Sequence, residues 1–288
     1  KRKMYEIIER QGRTERPAVS FVGGGGKTSC ILELADDWAA RGKRVLVTTT
    51  VHMERPEILG RTGWIDQPAE NIRKALESPG VVIAGSGSET WKKIRGLSEA
   101  AYTEAASKAQ AVLTEADGSR KFPVKVPGKN EPVIREDTTH ILILAGASAL
   151  GRPLDQVCHR LEYAKKILGP ENRPLTGETL GQLLEKGYVE PLKEQYPGRK
   201  LAVILNQQDL LEEPEKMKRI IEARMSVPVF LHTREEKKKR IHLILLAAGF
   251  SRRFGENKLL YPIKGKSMYL WTMERLRKIQ KEGLADSL

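Results

Sequence analysis

At 288 residues, with 40% hydrophobic and 30% charged side chains, the chain has room for one large domain or a domain and a half, and its composition is not that of a disordered protein. No run approaches the roughly 18 consecutive apolar residues of a membrane span, and residues 1–10 carry charges through what would be a signal peptide's apolar stretch, so a cytoplasmic, membrane-free protein is expected. The formal charge of +13 is interleaved with Glu and Asp along the chain, which makes nucleic acid a poorer expectation than a phosphate-bearing small ligand, and the two cysteines, Cys30 and Cys158, offer no disulfide framework.

Taken in order, the first 235 residues alternate short β-branched runs with longer amphipathic stretches, the pattern of a mostly parallel α/β sheet with helices on both faces. Strands are predicted at 19–22, 44–49, 81–84, 111–115, 140–144, 201–205 and 227–231, and helices at 28–40, 69–76, 176–186 and 214–223. The first strand runs into Gly23-Gly24-Gly25-Gly26-Lys27-Thr28, and the next helix carries Ile31, Leu34, Ala35 and Trp38 on one face. Backbone N–H groups can wrap phosphate oxygens only where Cβ atoms are absent, and the helix N-terminus adds unpaired donors. Strand, glycine loop and helix in that order are a P-loop, with Gly23, Gly24, Gly25, Gly26, Lys27, Thr28 and Ser29 as the expected contacts to ATP or GTP. Lys27 is expected to face solvent and reach the β- and γ-phosphates, and Thr28 to ligate Mg2+. Phe21 stands where the longer form of the motif has glycine, so the loop resembles the shortened G-x-x-G-K-T form of Mur ligases.

The second strand ends in Thr48-Thr49-Thr50-Val51-His52, where a threonine is positioned to hold magnesium or sense the γ-phosphate or simply to finish the strand. The fourth ends in Thr114-Glu115-Ala116-Asp117-Gly118, so Asp117 or Glu115 is the expected magnesium acid and, with Lys27, part of the catalytic set. A long basic loop, 119–136, offers Arg120, Lys121, Lys125 and Lys129 to an anionic partner or substrate, and His159 and Arg160 follow as a candidate acid or base and an anion clamp. Asn206-Gln207-Gln208-Asp209 resembles the base-reading motif of GTPases, with Asn206 and Asp209 as nucleotide contacts and Gln in place of the usual Lys. A charge run at 236–240 reads as a linker, giving domains 1–235 and 241–288.

Together these segments resemble the YqeC-like family, described as accessory proteins of selenium-dependent molybdenum hydroxylases. The resemblance rests on residues 21–28, on Val47-Thr48-Thr49-Thr50-Val51-His52-Met53, on Thr114-Glu115-Ala116-Asp117-Gly118-Ser119-Arg120, on the 125–134 loop, and on Gly151-Arg152-Pro153-Leu154 with His159-Arg160. It implies an NTP-binding, NTP-hydrolysing role in maturing a molybdenum hydroxylase or its cofactor. Phosphoryl transfer to a small acid and a nucleotide-gated binding module remain the alternatives. Residues 244–260, with Gly249, Arg253 and Lys258 at the nucleotide-binding positions, resemble the signature of MobA-like nucleotidyltransferases. The chain does not begin with Met and stops soon after this motif, so a fragment holding only the first βα unit of that second domain is expected.

Overall fold

The computed structural model describes residues 4–12, 14–233, 257 and 259–281. The chain divides into two compact units, Lys1–Arg234 and Glu235–Leu288. The first contains α1 (Met4–Arg10), β1 (Ala18–Gly23), α2 (Lys27–Ala40), β2 (Arg44–Thr49), β3 (His52–Glu54), β4 (Gly63–Ile65), α3 (Ala69–Ala75), β5 (Gly80–Gly87), β6 (Lys93–Arg95), α4 (Glu99–Ala106), β7 (Ala111–Glu115) and β8 (Val124–Lys125). It continues through β9 (His140–Gly146), α5 (Leu154–Val157), β10 (Cys158–His159), α6 (Leu161–Leu168), α7 (Gly177–Leu184), α8 (Glu190–Gln195), β11 (Lys200–Asn206), α9 (Pro214–Glu222) and β12 (Val229–Leu231).

A ten-stranded sheet runs β12-β11-β9-β1-β7-β2-β5-β6-β3, with β4 beside β5, and its core pairs are parallel. Side chains alternate across it with the period of a strand and sort onto two helix layers. In β9, Ile141 and Ile143 join the cluster under α6 to α9, while Leu142 and Leu144 join Met4, Ile7, Leu34 and Trp38 of α1 and α2. On β2, Leu46 packs with Ile72 of α3 and Tyr102 and Ala105 of α4, and Val45 and Val47 face α2. Because both faces are covered, the strands read as unbroken apolar runs, and each side chain so buried contributes about 1.5–3 kcal/mol.

β1 lies between β7 and β9. After β1 the chain moves to β2 on one side, and β9 and β11 later build the other side, so the sheet order reverses at the end of β1. That is where open α/β sheets place their ligands. The glycine segment leaves β1 at this point.

The second unit holds a short hairpin, β13 (Pro262–Ile263) with β14 (Lys266–Ser267), followed by α10 (Met268–Lys281). Lys264 and Gly265 turn it with φ of 52° and 77°, both positive, as a type I′ two-residue hairpin loop requires. The Trp271 indole N–H donates to the Ile263 carbonyl at 2.9 Å, tying the helix to the hairpin. The expected linker at 236–240 and Gly249, Arg253 and Lys258 lie outside the described residues. Among the described residues no helix is long and apolar enough to cross a membrane.

Candidate functional site

Gly25 and Gly26 have φ of 77° and 106°, a left-handed pair that turns the backbone into α2. A Cβ on Gly25 would lie 2.3 Å from the Gly146 amide, so both the conformation and the close approach exclude other residues. The loop's amides divide into two groups. Gly23 N–H donates to both Asp117 carboxylate oxygens (3.1 and 3.0 Å), Gly24 N–H to the Leu144 carbonyl (2.9 Å) and Gly25 N–H to the Phe122 carbonyl (3.1 Å). Among the described residues, the amides of Gly26, Lys27, Thr28 and Ser29 have no protein partner, since no side chain caps α2. They form a cradle of donors with the positive end of the helix behind it, suited to a phosphate.

The two acids left interchangeable by the sequence take different positions. Glu115 ends β7 in register with Phe21 of β1 and Thr49 of β2, and its Oε2 accepts from the Thr28 hydroxyl at 2.7 Å. Burial holds its carboxyl above the usual carboxylate range, opposed by the nearby Lys27 ammonium and the Thr28 hydrogen bond. Asp117, expected as the metal ligand, is instead fully buried and occupied by protein donors. Besides Gly23 N–H it receives the Tyr188 hydroxyl at 2.6 Å and lies 3.2 Å from Lys27 Nζ and 3.5 Å from Lys125 Nζ. Burial and the Asp117 carboxylate raise the Tyr188 phenol well above its ordinary value, so it stays a donor. Tyr188 comes from the π-helical turn Glu185–Val189 between α7 and α8, a contact the sequence does not signal.

Lys27 is also corrected: it is 4% exposed and does not face solvent. Its ammonium donates to the Gly23 carbonyl at 2.6 Å beside Asp117, because a buried charge must be paired. Thr48 and Thr49 donate to the Ala84 and Glu115 carbonyls and Thr50 to the Val133 carbonyl, so these hydroxyls finish strand ends. Lys125 is withdrawn from the basic loop, buried against Glu131 at 2.7 Å and Asp117. Arg160 pairs with Glu131 at 3.1 Å. His159 stacks on Phe122 with ring centroids 6.1 Å apart, and burial, then Lys125 and Arg160, lowers its pKa.

Asn206 reaches the loop: its Nδ2 donates to the Gly25 carbonyl at 2.8 Å, while its Oδ1 is buried without a partner among the described residues. Asp209 is exposed and accepts from the Thr233 hydroxyl at 2.7 Å. The structure thus gathers Gly23 to Ser29, Glu115, Asp117 and Asn206 at one end of the sheet. Among the described residues no group of His, Cys, Asp and Glu side chains makes an all-protein metal cage. One carboxylate, one hydroxyl and open amides suit magnesium carried in by phosphates, which takes only one or two protein ligands.

Residues 19–162, half of the chain, match the family model described as YqeC protein, and residues 243–284 match that of the MobA-like NTP transferase domain. The Escherichia coli (strain K12) protein described as "Uncharacterized protein YqeC" is 35% identical over 162 residues, which cover 55% of this chain and 63% of that relative. The match therefore spans less than two thirds of the relative's length. A solved structure of chloroplast FtsY from Physcomitrella patens aligns with a TM-score of 0.32 and 13% identity, over 79% of this chain and 64% of that one.

Proposed function

We propose, for a chain that belongs to the YqeC protein family, that the Gly23 to Thr28 loop binds and hydrolyses a magnesium nucleoside triphosphate. The observation that carries this reading is the Thr28 hydroxyl donating to Glu115 at 2.7 Å directly beside the unpartnered amides that open α2. In this reading the amides of Gly26 to Ser29 hold the phosphate, and Thr28 and Glu115 hold the magnesium side. Lys27 exchanges the Gly23 carbonyl for phosphate oxygens. Magnesium would supply charge neutralisation to the phosphates. Asp117 acts as a positioning residue that fixes Gly23 and Lys27.

Asn206 and Asp209 at the end of β11 support guanine over adenine. Asn206 already touches the loop and keeps one buried acceptor unpaired. The family and the MobA-like match at 243–284 support a nucleotide-related accessory role. We extend that role to maturation of a selenium-dependent molybdenum hydroxylase or its cofactor.

The test is calorimetric binding of ATP, GTP and CTP with and without magnesium, followed by product analysis. Lys27→Ala is expected to lower triphosphate affinity by on the order of 2–4 kcal/mol, the size of a charge-assisted contact. Thr28→Ala is expected to remove the magnesium dependence, and Asp209→Ala to shift the GTP-to-ATP ratio. Undiminished triphosphate binding by a folded Lys27→Ala protein would end the P-loop assignment.

A further inference from the structure

Against Thr50 and Gly118, and outside the glycine loop, lies a cleft of about 1480 Å³. Small-ligand sites usually occupy about 300–1,000 Å³, so the cleft has room for a whole metabolite and not merely a lone ion. Five segments bring cations to its wall: Arg16 before β1, Lys93 and Arg95 from β6, Arg120 from the loop after β7, Arg135 before β9, and Arg160 after β10. His52 and His159 join them.

Six cations and five carboxylates line the cleft, and their pairing is uneven. Among the lining carboxylates, Glu99 is held by Arg135 at 2.8 Å, Glu131 by Lys125 and Arg160, and Asp137 accepts from the Tyr102 hydroxyl at 2.7 Å. Glu136 and Glu162 also line the cleft. Lys93, Arg95 and Arg120, by contrast, have no carboxylate within ion-pair distance among the described residues; Arg95 donates only to the Gly87 carbonyl, at 3.0 Å. Arg120 and its neighbour Lys121 both sit at positive φ, 51° and 67°. Such conformations are strained for residues with side chains and cluster at ligand clamps. Thr50 also lines the cleft, and its N–H donates to the Glu115 carbonyl at 3.1 Å, so the cationic wall and the end of β7 are neighbours.

We infer that this cleft binds a polyanionic small molecule, one bearing phosphate or several carboxylates, with its anionic end held by Lys93, Arg95 and Arg120. The site differs from the one the basic loop implied by itself. Lys125 is consumed in a buried ion pair, Lys121 lies 3.8 Å from Glu54, and Lys129 is not part of the cleft wall. Two of the three holding cations come from β6, a strand that belongs to another part of the sequence.

The inference does not require a nucleotide on the glycine loop, and the test separates the two. Citrate and inorganic pyrophosphate are titrated calorimetrically into the full chain and into Lys93→Glu/Arg120→Glu, with melting curves to confirm folding. Both substituted residues are exposed. Citrate affinity is expected to fall at least about tenfold in the double variant, and about threefold in Lys93→Gln or Arg120→Gln alone, as lost charge-assisted contacts require. Lys129→Glu, an exposed cation on the same loop outside the cleft, should leave it unchanged. Lys27→Ala should keep citrate binding while losing a pyrophosphate site. If Lys27→Ala loses nothing, the nucleotide reading fails and the cleft stands. Absence of citrate binding to the unmodified chain, or citrate affinity in the double variant equal to that of Lys129→Glu, overturns the inference.

Discussion

Asp117 and Glu115 stand two residues apart, yet their replacement by the isosteric amides should move stability in opposite directions. Asp117 is the counter-charge for Lys27 at 3.2 Å and Lys125 at 3.5 Å, all within the interior. Removing one partner of a buried pair costs about 3–5 kcal/mol. The lower end applies here, because Lys125 keeps Glu131 at 2.7 Å and Lys27 keeps the Gly23 carbonyl at 2.6 Å. At roughly 2–4 °C per kcal/mol for a domain of this size, Asp117→Asn should melt about 6–12 °C lower. Glu115 is the reverse case, since its charged form is penalised by burial. With its folded pKa above the unfolded value, the native state holds more protons, and stability falls as pH rises from about 4.3 through the raised value. Glu115→Gln abolishes that slope and should gain on the order of 1 kcal/mol at neutral pH, while losing magnesium-dependent nucleotide affinity. Trp38, 4% exposed in α2, reports both melts by fluorescence. The reasoning is refuted if the two variants shift the melting temperature in the same direction, or if Asp117→Asn loses magnesium dependence at unchanged stability.

Tyr188→Phe removes a 2.6 Å donor from Asp117 without touching the amides that open α2, so urea denaturation should show a loss of about 1.5–3 kcal/mol with triphosphate affinity unchanged. A drop in affinity at unchanged stability would instead place the phenol at the ligand. Burial, aided by the Lys200 charge, lowers the His140 pKa to about 4, and its Nε2 has no partner among the described residues. Its folded pKa lies below the unfolded one, so its contribution is complete above about pH 6.5 and is lost as pH falls toward the folded value. His140→Gln should flatten that acid limb in melting experiments, and an unchanged limb would assign it to other groups.

The core strands were legible because helices cover both faces and leave unbroken apolar runs: 44–49 and 111–115 coincide with β2 and β7, and the other predicted strands overlap their counterparts. Edge elements were not. β3, β4 and β6 have three residues each, too short for a period to register. The helix predicted over 176–186 changes character before its end, since Glu185–Val189 winds as a π-turn that carries Tyr188 to Asp117. At the site, glycine, Lys27 and Thr28 were visible through local order, because the loop's chemistry is written in adjacent residues. The division of labour between Glu115 and Asp117 was not, because it depends on which face of β7 and of the following turn meets Lys125 and Tyr188. The same holds for Lys125, whose loop reads as solvated but folds back through β8 onto β10.

The division of the loop's amides at Gly26 bears on how affinity arises. Gly23, Gly24 and Gly25 spend their N–H groups on Asp117, Leu144 and Phe122, which fixes the backbone shape without a ligand. Asn206 adds a further tie through the Gly25 carbonyl. The cradle of the next four amides is therefore preorganised, and little backbone ordering remains to oppose binding. On the proposed reading the group with an interaction to exchange is Lys27, which would leave a carbonyl at 2.6 Å while staying near Asp117. One charge-assisted contact thus replaces a neutral acceptor, a gain that grows with the charge of the incoming phosphates. By this logic discrimination between triphosphate and diphosphate rests on Lys27 and on the Thr28–Glu115 pair, while the three internally bonded glycines contribute shape alone.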